Sequence, residues 1–165
     1  MKAMMKTRRL HKRANTEIWL YDDPVHGDCI YKEIYHQPQL TTAGVSRSYE
    51  IYESLVDKED LVKVHNVVTL KDTVCVVMEN LRDWARIDRS HYRSMFKIIQ
   101  RLAAQGVIDW DYSPTNFLVS PEGVVKMIDL DRLVRISSLP ETPPSEHWIL
   151  TWFGSRVVKF LKEME

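Results

Sequence analysis

Cysteine is scarce: Cys29 and Cys75 are the two thiols in 165 residues, neither with a close second thiol to make a metal knuckle or redox pair. A disulfide-built secreted scaffold is thereby excluded, and a reducing cytoplasm is the expected compartment. His26 lies near Cys29, but two potential ligands fall short of a metal cage, and ordinary loop chemistry is the better reading. No apolar run approaches the roughly 18 residues of a membrane-spanning helix, and no apolar stretch follows the basic start, so neither an anchor nor a signal peptide is expected. Net charge is lacking too. Lys+Arg 23 balance Asp+Glu 23, which argues against nucleic acid as the main partner. Glycine is rare, and none precedes Gly27.

What is present is an ordinary folding composition. Hydrophobic residues make up 44% of the chain, far from the regime of disorder. A chain of this length buries roughly 70% of the surface its unfolded form exposes, enough for one domain or one small two-lobed unit without staples. Charge is unevenly placed along it. Lys2, Lys6, Arg8, Arg9, Lys12 and Arg13 all precede the first acid, Glu17, so residues 1–15 read as a basic arm. Without interleaved aromatics the arm is expected to be a solvated end. A module that binds RNA or an anionic membrane surface through it, without chemistry, is the weaker alternative.

Runs of β-branched and aromatic residues at Glu17 to Tyr21 and Cys29 to Tyr35, split by Asp22, Asp23, Pro24 and Gly27, predict two strands and a turn. Tyr49, Ile51, Tyr52 and Leu55 recur at helical spacing and predict a short helix over Ser46 to Val56. Val62 to Leu70 and Thr73 to Met78 fit two further strands, and Glu79 to Asp83 a connector. The most regular helix is His91 to Gln105, whose stripe runs through Met95, Ile98, Ile99 and Leu102 to a stop at Gly106. Phe117 to Val119 and Val124 to Leu130 make a hairpin about Pro121-Glu122-Gly123. Arg132 to Pro144 reads as loop, and a last helix bearing Trp148, Trp152, Phe153 and Leu161 is expected after Ser145.

One stretch stands apart: Asp109-Trp110-Asp111-Tyr112-Ser113-Pro114-Thr115-Asn116, followed past the hairpin by Ile128-Asp129-Leu130-Asp131. In a loop that feeds a hairpin, Asp111 and Asn116 can converge while Asp129 reaches the same point from across the ladder. Oxygens grouped in this way suit Mg²⁺. Phosphoryl transfer needs such equipment: an acid to orient the attacking hydroxyl, and an Asn and an Asp to hold the metal. Singly, each residue has a plain structural explanation, with Asp111 and Asp131 capping turns, Asn116 holding a loop and Lys32 solvated on a strand. Order and spacing together favour the chemical reading.

The pattern Asp-x-x-x-x-Asn, an apolar hairpin, then Asp-Leu-Asp after Met127-Ile128 resembles the catalytic loop and D-F-G segment of the protein-kinase-like superfamily. Within it, residues 111–118 and 128–132 are most similar to the bacterial lipopolysaccharide core and Kdo kinases, which phosphorylate sugars of nascent lipopolysaccharide on the cytoplasmic side of the inner membrane. The order of elements matches from Glu17 to Arg132, while the specific matches lie in those two segments. The resemblance implies an α+β, protein-kinase-like two-lobed fold, with a small lobe over residues 16–79 and a reduced, mostly helical lobe over 80–165. It implies ATP and Mg²⁺ as cofactors, Asp111 as catalytic base, Asn116 and Asp129 as metal ligands, and Lys32 as the strand lysine that grips phosphates. Met78, Glu79 and Leu81 take the place of the hinge beside adenine. Glu50 is taken as the helix acid that pairs with Lys32, with Glu53 the other candidate.

Several positions depart from that pattern. Without glycine, Arg13-Ala14-Asn15-Thr16-Glu17 must serve where a Gly-rich loop would cover the phosphates. Asp109 stands where His is usual, Ser113 stands where protein-directed kinases carry Lys, and only 34 residues follow Asp131. The expected function is transfer of the ATP γ-phosphoryl to a hydroxyl, on a lipopolysaccharide sugar, another small molecule or a protein. The alternative is a catalytically inactive pseudokinase acting as a regulatory or protein-binding module. Ser137, Ser138 and Thr142 are candidate self-phosphorylation sites, and the expected location is cytoplasmic, with peripheral contact of the basic arm with the inner membrane.

Overall fold

The computed structural model describes residues 6–139, and within them the chain is α+β, with mostly antiparallel sheet and two α-helices. Its first half is a sheet that wraps one helix. Strands β1 (Lys6–Lys12), β2 (Thr16–Asp23), β3 (Gly27–Tyr35), β4 (Val64–Thr69) and β5 (Thr73–Glu79) pair antiparallel in the order β1-β2-β3-β5-β4. Helix α1 (Thr42–Ser54) joins β3 to β4. The period of two in β5 explains the sheet's two faces. Val74, Val76 and Met78 point into the main core, whereas Cys75 and Val77 join Tyr21, Cys29 and Tyr31 in a smaller cluster on the opposite face.

The second half is built around helix α2 (Tyr92–Ala104) and short strands β6 (Ala85–Arg86), β7 (Val107–Asp109), β8 (Phe117–Val119), β9 (Val125–Met127) and β10 (Leu133–Arg135). Strands β6, β8 and β9 form one sheet and β7 pairs with β10. Met95, Ile98, Ile99 and Leu102 are the buried face of α2, the i, i+3, i+4, i+7 stripe expected of an amphipathic helix. Gly106 at φ +74° turns the chain out of it, a conformation that costs glycine nothing. One core runs through both halves, from Ile34, Val45 and Tyr49 to Met95, Phe117 and Leu133. The backbone ties them as well: Val62 N donates to Met127 O at 2.8 Å and Met127 N to Asp60 O at 2.9 Å.

Three expectations change. The basic segment is not a free end over residues 6–12: it is the edge strand β1, paired with β2. Its cations are engaged by the sheet rather than by water alone. Lys6 pairs with Glu33 and lies 5.0 Å from the Trp19 ring, and Lys12 lies 3.5 Å from Glu17. The first helix begins at Thr42 rather than Ser46, because the Thr41 hydroxyl accepts from Gly44 N at 3.0 Å and caps it. Within the segment read as loop after Arg132, Leu133–Arg135 pairs with β7. The expected helix after Ser145, Thr142 and Lys2 lie outside the described residues.

The packing yields a direct test. Met95 is fully buried where α2 meets the core. Met95→Ala should lower unfolding free energy by about 2–5 kcal/mol through lost transfer energy and the cavity left behind, measured by urea titration.

Candidate functional site

A cleft of about 1110 Å³ is lined by β2 and β3, by the segment after β5, and by the loops around β8 and β9. Its aliphatic wall comes from Ile18 and Ile30 on the sheet and Leu118 and Ile128 on the other side, with Met78 and Leu81 at the end of β5. The turn from β1 to β2 also faces it. Arg13 N donates to Thr16 O at 2.8 Å, so the turn is tight, and Leu10, His11, Arg13 and Asn15 line the cleft.

All but one of the site residues expected from the sequence line this cleft. Lys32, Met78, Glu79, Leu81, Asp111, Asn116 and Asp129 all line the cleft. Strand β7 leads into the loop that carries Asp111; a Pro114–Asn116 3-10 turn, capped by Ser113, then sets Asn116 at the start of β8. Asn116 Nδ2 donates to the Asp111 carbonyl at 3.1 Å, and Ile128 N donates to the Asn116 carbonyl at 2.8 Å. These two bonds hold Asp111, Asn116 and the residue before Asp129 together. Glu79 is used structurally: its Oε1 accepts from Lys126 Nζ at 2.6 Å and from Lys63 N at 2.8 Å.

Glu50 is not part of the site. It lies on the exposed side of α1, and Glu53 does too, 3.9 Å from Lys58. The buried side of α1 is taken by Val45, Ser48, Tyr49 and Tyr52, and helical phase then forces residues 50 and 53 outward. Lys32 instead meets two carboxylates from the segment after β9. Its Nζ is 2.5 Å from Asp131 Oδ2 and 3.5 Å from Asp129 Oδ1. Tyr49 Oη donates to Asp131 Oδ1 at 2.7 Å, so α1 contributes a hydroxyl where a carboxylate was expected. The Asp-Leu-Asp spacing already put Asp131 beside Asp129 in sequence, which was the available signal for it. Tyr49 was visible only as a core residue.

The two acids differ in environment. The Asp129 side chain is 42% exposed and that of Asp131 7%. Burial would lower the Lys32 ammonium, but Asp129 and Asp131 outweigh it and hold its pKa above the ordinary lysine value. Burial would raise Asp129, yet Lys32 and the Asp131 amide keep it below the usual carboxylate range. In Asp131 burial prevails and pushes the carboxyl up against the pull of Lys32 and Tyr49. Burial likewise lifts Tyr49 well above its ordinary value, so its hydroxyl remains a donor.

Among the described residues no group of three or more His, Cys, Asp or Glu side chains is arranged to hold a metal. The oxygens at hand are the half-exposed Asp129 carboxylate and the Asn116 amide oxygen, whose nitrogen is already committed. Such a pair fits Mg²⁺, which takes most of its shell from water and substrate phosphates rather than from a full protein cage. Neither a search against models of known protein families nor one of curated proteins finds a match to this chain.

Beneath the loop lies Asp109, 2% exposed, whose Oδ1 accepts from Asp111 N at 2.6 Å. Burial pushes its carboxyl up to about 7 from 3.8. The folded chain therefore holds that proton more tightly than the unfolded one, and the resulting stability is present below about pH 4 and lost as pH rises through 7. Asp109→Asn keeps the acceptor oxygen and cannot ionise. Its stability relative to the parent should rise between pH 4 and pH 8 by up to about 4 kcal/mol, read from urea titrations across that range.

Proposed function

We propose that this chain is an ATP-dependent phosphotransferase of the protein-kinase-like type, two-lobed about this cleft, passing the γ-phosphoryl of ATP to a hydroxyl of a small acceptor. The observation that carries the reading is the convergence of Lys32, Asp111, Asn116 and Asp129 on one cleft from three separate segments: β3, the loop between β7 and β8, and the segment after β9. Aliphatic side chains of the lining, among them Ile18, Ile30, Met78 and Leu81, suit a flat base, and the acids and lysine of the same lining suit its phosphates.

Asp111 holds the acceptor hydroxyl and takes its proton as that oxygen attacks the γ-phosphorus in line with the departing ADP. Lys32, kept protonated by its two carboxylates, steadies the phosphates. Asn116 and Asp129 are the residues that would hold a divalent cation, which would neutralise charge on the phosphates and the leaving group. Arg13, at the turn from β1 to β2, brings charge to the place where glycine amides would otherwise meet phosphate. The similarity noted in the sequence makes a lipopolysaccharide sugar the first acceptor to test.

A second reading, a nucleotide site without transfer or a pseudokinase that binds protein, draws on the same turn. Arg13-Ala14-Asn15 carries side chains where close backbone approach to phosphate favours glycine. The two separate in experiment. ATP with Mg²⁺ should raise the apparent stability of the chain in a thermal-shift titration, because a ligand bound only by the folded state must do so. Asp129→Ala should lose the magnesium-dependent shift. Asp111→Ala should keep it and lower transfer of labelled phosphate by about 100- to 10,000-fold. A chain that shows no shift at millimolar ATP rules out the phosphotransferase reading.

A further inference from the structure

We propose that Asp131 is the fixed counter-ion that positions Lys32, and that helix α1 controls this lysine through the Tyr49 hydroxyl rather than through a carboxylate of its own. The inference rests on the phosphotransferase reading only in assigning phosphate to Lys32; the clamp itself is a matter of geometry.

Both Asp131 oxygens are occupied: Oδ2 by Lys32 Nζ at 2.5 Å and Oδ1 by Tyr49 Oη at 2.7 Å. Asp131 is buried, as are Lys32 and Tyr49. Asp129 lies farther from Lys32, at 3.5 Å, and is far more exposed. The two acids thus divide the work. Asp131 holds the ammonium, and Asp129 keeps a carboxylate turned to the cleft.

Helix α1 also grips the backbone on both sides of Asp131. The Ser48 hydroxyl donates to Leu130 O and accepts from Leu133 N at 2.8 Å. With the Tyr49 bond, adjacent residues of one helical turn hold residues 130–133 at three points. A helix that carries its own carboxylate can make or break a lysine pair by swinging. Here the pair belongs to the Asp129–Asp131 segment, and α1 cannot leave it without breaking these three bonds. The arrangement makes Asp131 and Tyr49 positioning residues, and it leaves Glu50 and Glu53 with no part in holding Lys32.

The test compares Asp131→Asn, Tyr49→Phe, Glu50→Gln and Glu53→Gln with the parent by two readouts. The first is Mg-ATP and adenosine affinity by calorimetry. Asp131→Asn should bind Mg-ATP at least tenfold more weakly and adenosine unchanged, since adenosine carries no phosphate for Lys32 to meet. Tyr49→Phe should show a smaller loss of the same kind, about threefold, and both glutamine variants should match the parent. The second needs no nucleotide: acetic anhydride labelling of Lys32 read by mass spectrometry. Labelling of Lys32 should rise in Asp131→Asn relative to exposed lysines and stay at the parental level in Glu50→Gln and Glu53→Gln. Buried Cys29 and Cys75 must stay unreactive to a thiol reagent, which shows that the fold has held.

Lys32 labelling at the parental rate in both Asp131→Asn and Tyr49→Phe would overturn the clamp, as would an equal loss of adenosine and ATP. A selective loss of ATP in Glu50→Gln would return the role to the helix. A parent that binds neither ligand while Lys32 labelling still depends on Asp131 would remove the phosphotransferase reading and leave the clamp standing.

Discussion

An ammonium group buried in the middle of a sheet is the constraint to which the rest of this chain answers. Lys32 lies on β3 between β2 and β5, on the face that β5 fills with valine and methionine. Removing its charge from water costs several kcal/mol unless opposite charge meets it with good geometry. The nearest strands supply none. The carboxylates arrive 97 and 99 residues later, at Asp129 and Asp131, so the second half of the chain must close on the first for the lysine to be tolerated. Ser48 and Tyr49 then anchor the acid-bearing segment, and β7 pairs with β10 just behind it. Core packing and charge pairing point to the same assembly, which is what a single well-defined native state requires.

That closure is also what makes a cleft. The β8–β9 layer contributes Leu118 and Ile128 opposite Ile18 and Ile30, and the loop that holds Asp111 is suspended from β7 by the Asp109 carboxyl. Two carboxylates two residues apart end in different surroundings because Leu130, fully buried between them, pins the segment to the core. One acid is sealed against Lys32 and Tyr49, and its neighbour faces the opening. Environment, not residue type, assigns them different work.

Much of this was legible in the sequence where a side chain's chemistry and its spacing told the same story. Helix α2 shows its stripe, β3 and β5 show β-branched runs, and Asp111, Asn116 and Asp129 stand at intervals that brought them to one cleft. Legibility failed where stability comes from pairing rather than pattern. Strand β1 is a row of cations with no apolar alternation; it holds through its ladder with β2 and through cations set against Trp19 and Tyr31. Strands β7 and β10 are three residues each, too short for periodicity to register. The partner of Lys32 was misplaced for a different reason. Glu50 was chosen by charge, while the phase of Tyr49 and Tyr52 on α1 already required that both glutamates face outward.

The missing glycines bear on the same site through electrostatics. A Gly-rich turn offers phosphate a set of backbone amides; the turn after β1 offers the Arg13 side chain instead. Arg13 is joined along the cleft by Arg82, Arg86 and Arg132, and among the described residues none of the four is in an ion pair, whereas Lys6, Lys12, Lys58, Arg101 and Lys126 all are. In a chain whose net charge is zero, these arginines stand at the same opening as Asp111 and Asp129, so charge of both signs is gathered in one cleft, where low-dielectric walls strengthen its field. On the proposed reading, transfer would demand in addition that Asp111 stand within a bond's reach of a hydroxyl. On that reading, nucleotide affinity would depend on the arginine rim and Asp129, and turnover on the loop that Asp109 holds in place, so the two would be lost separately.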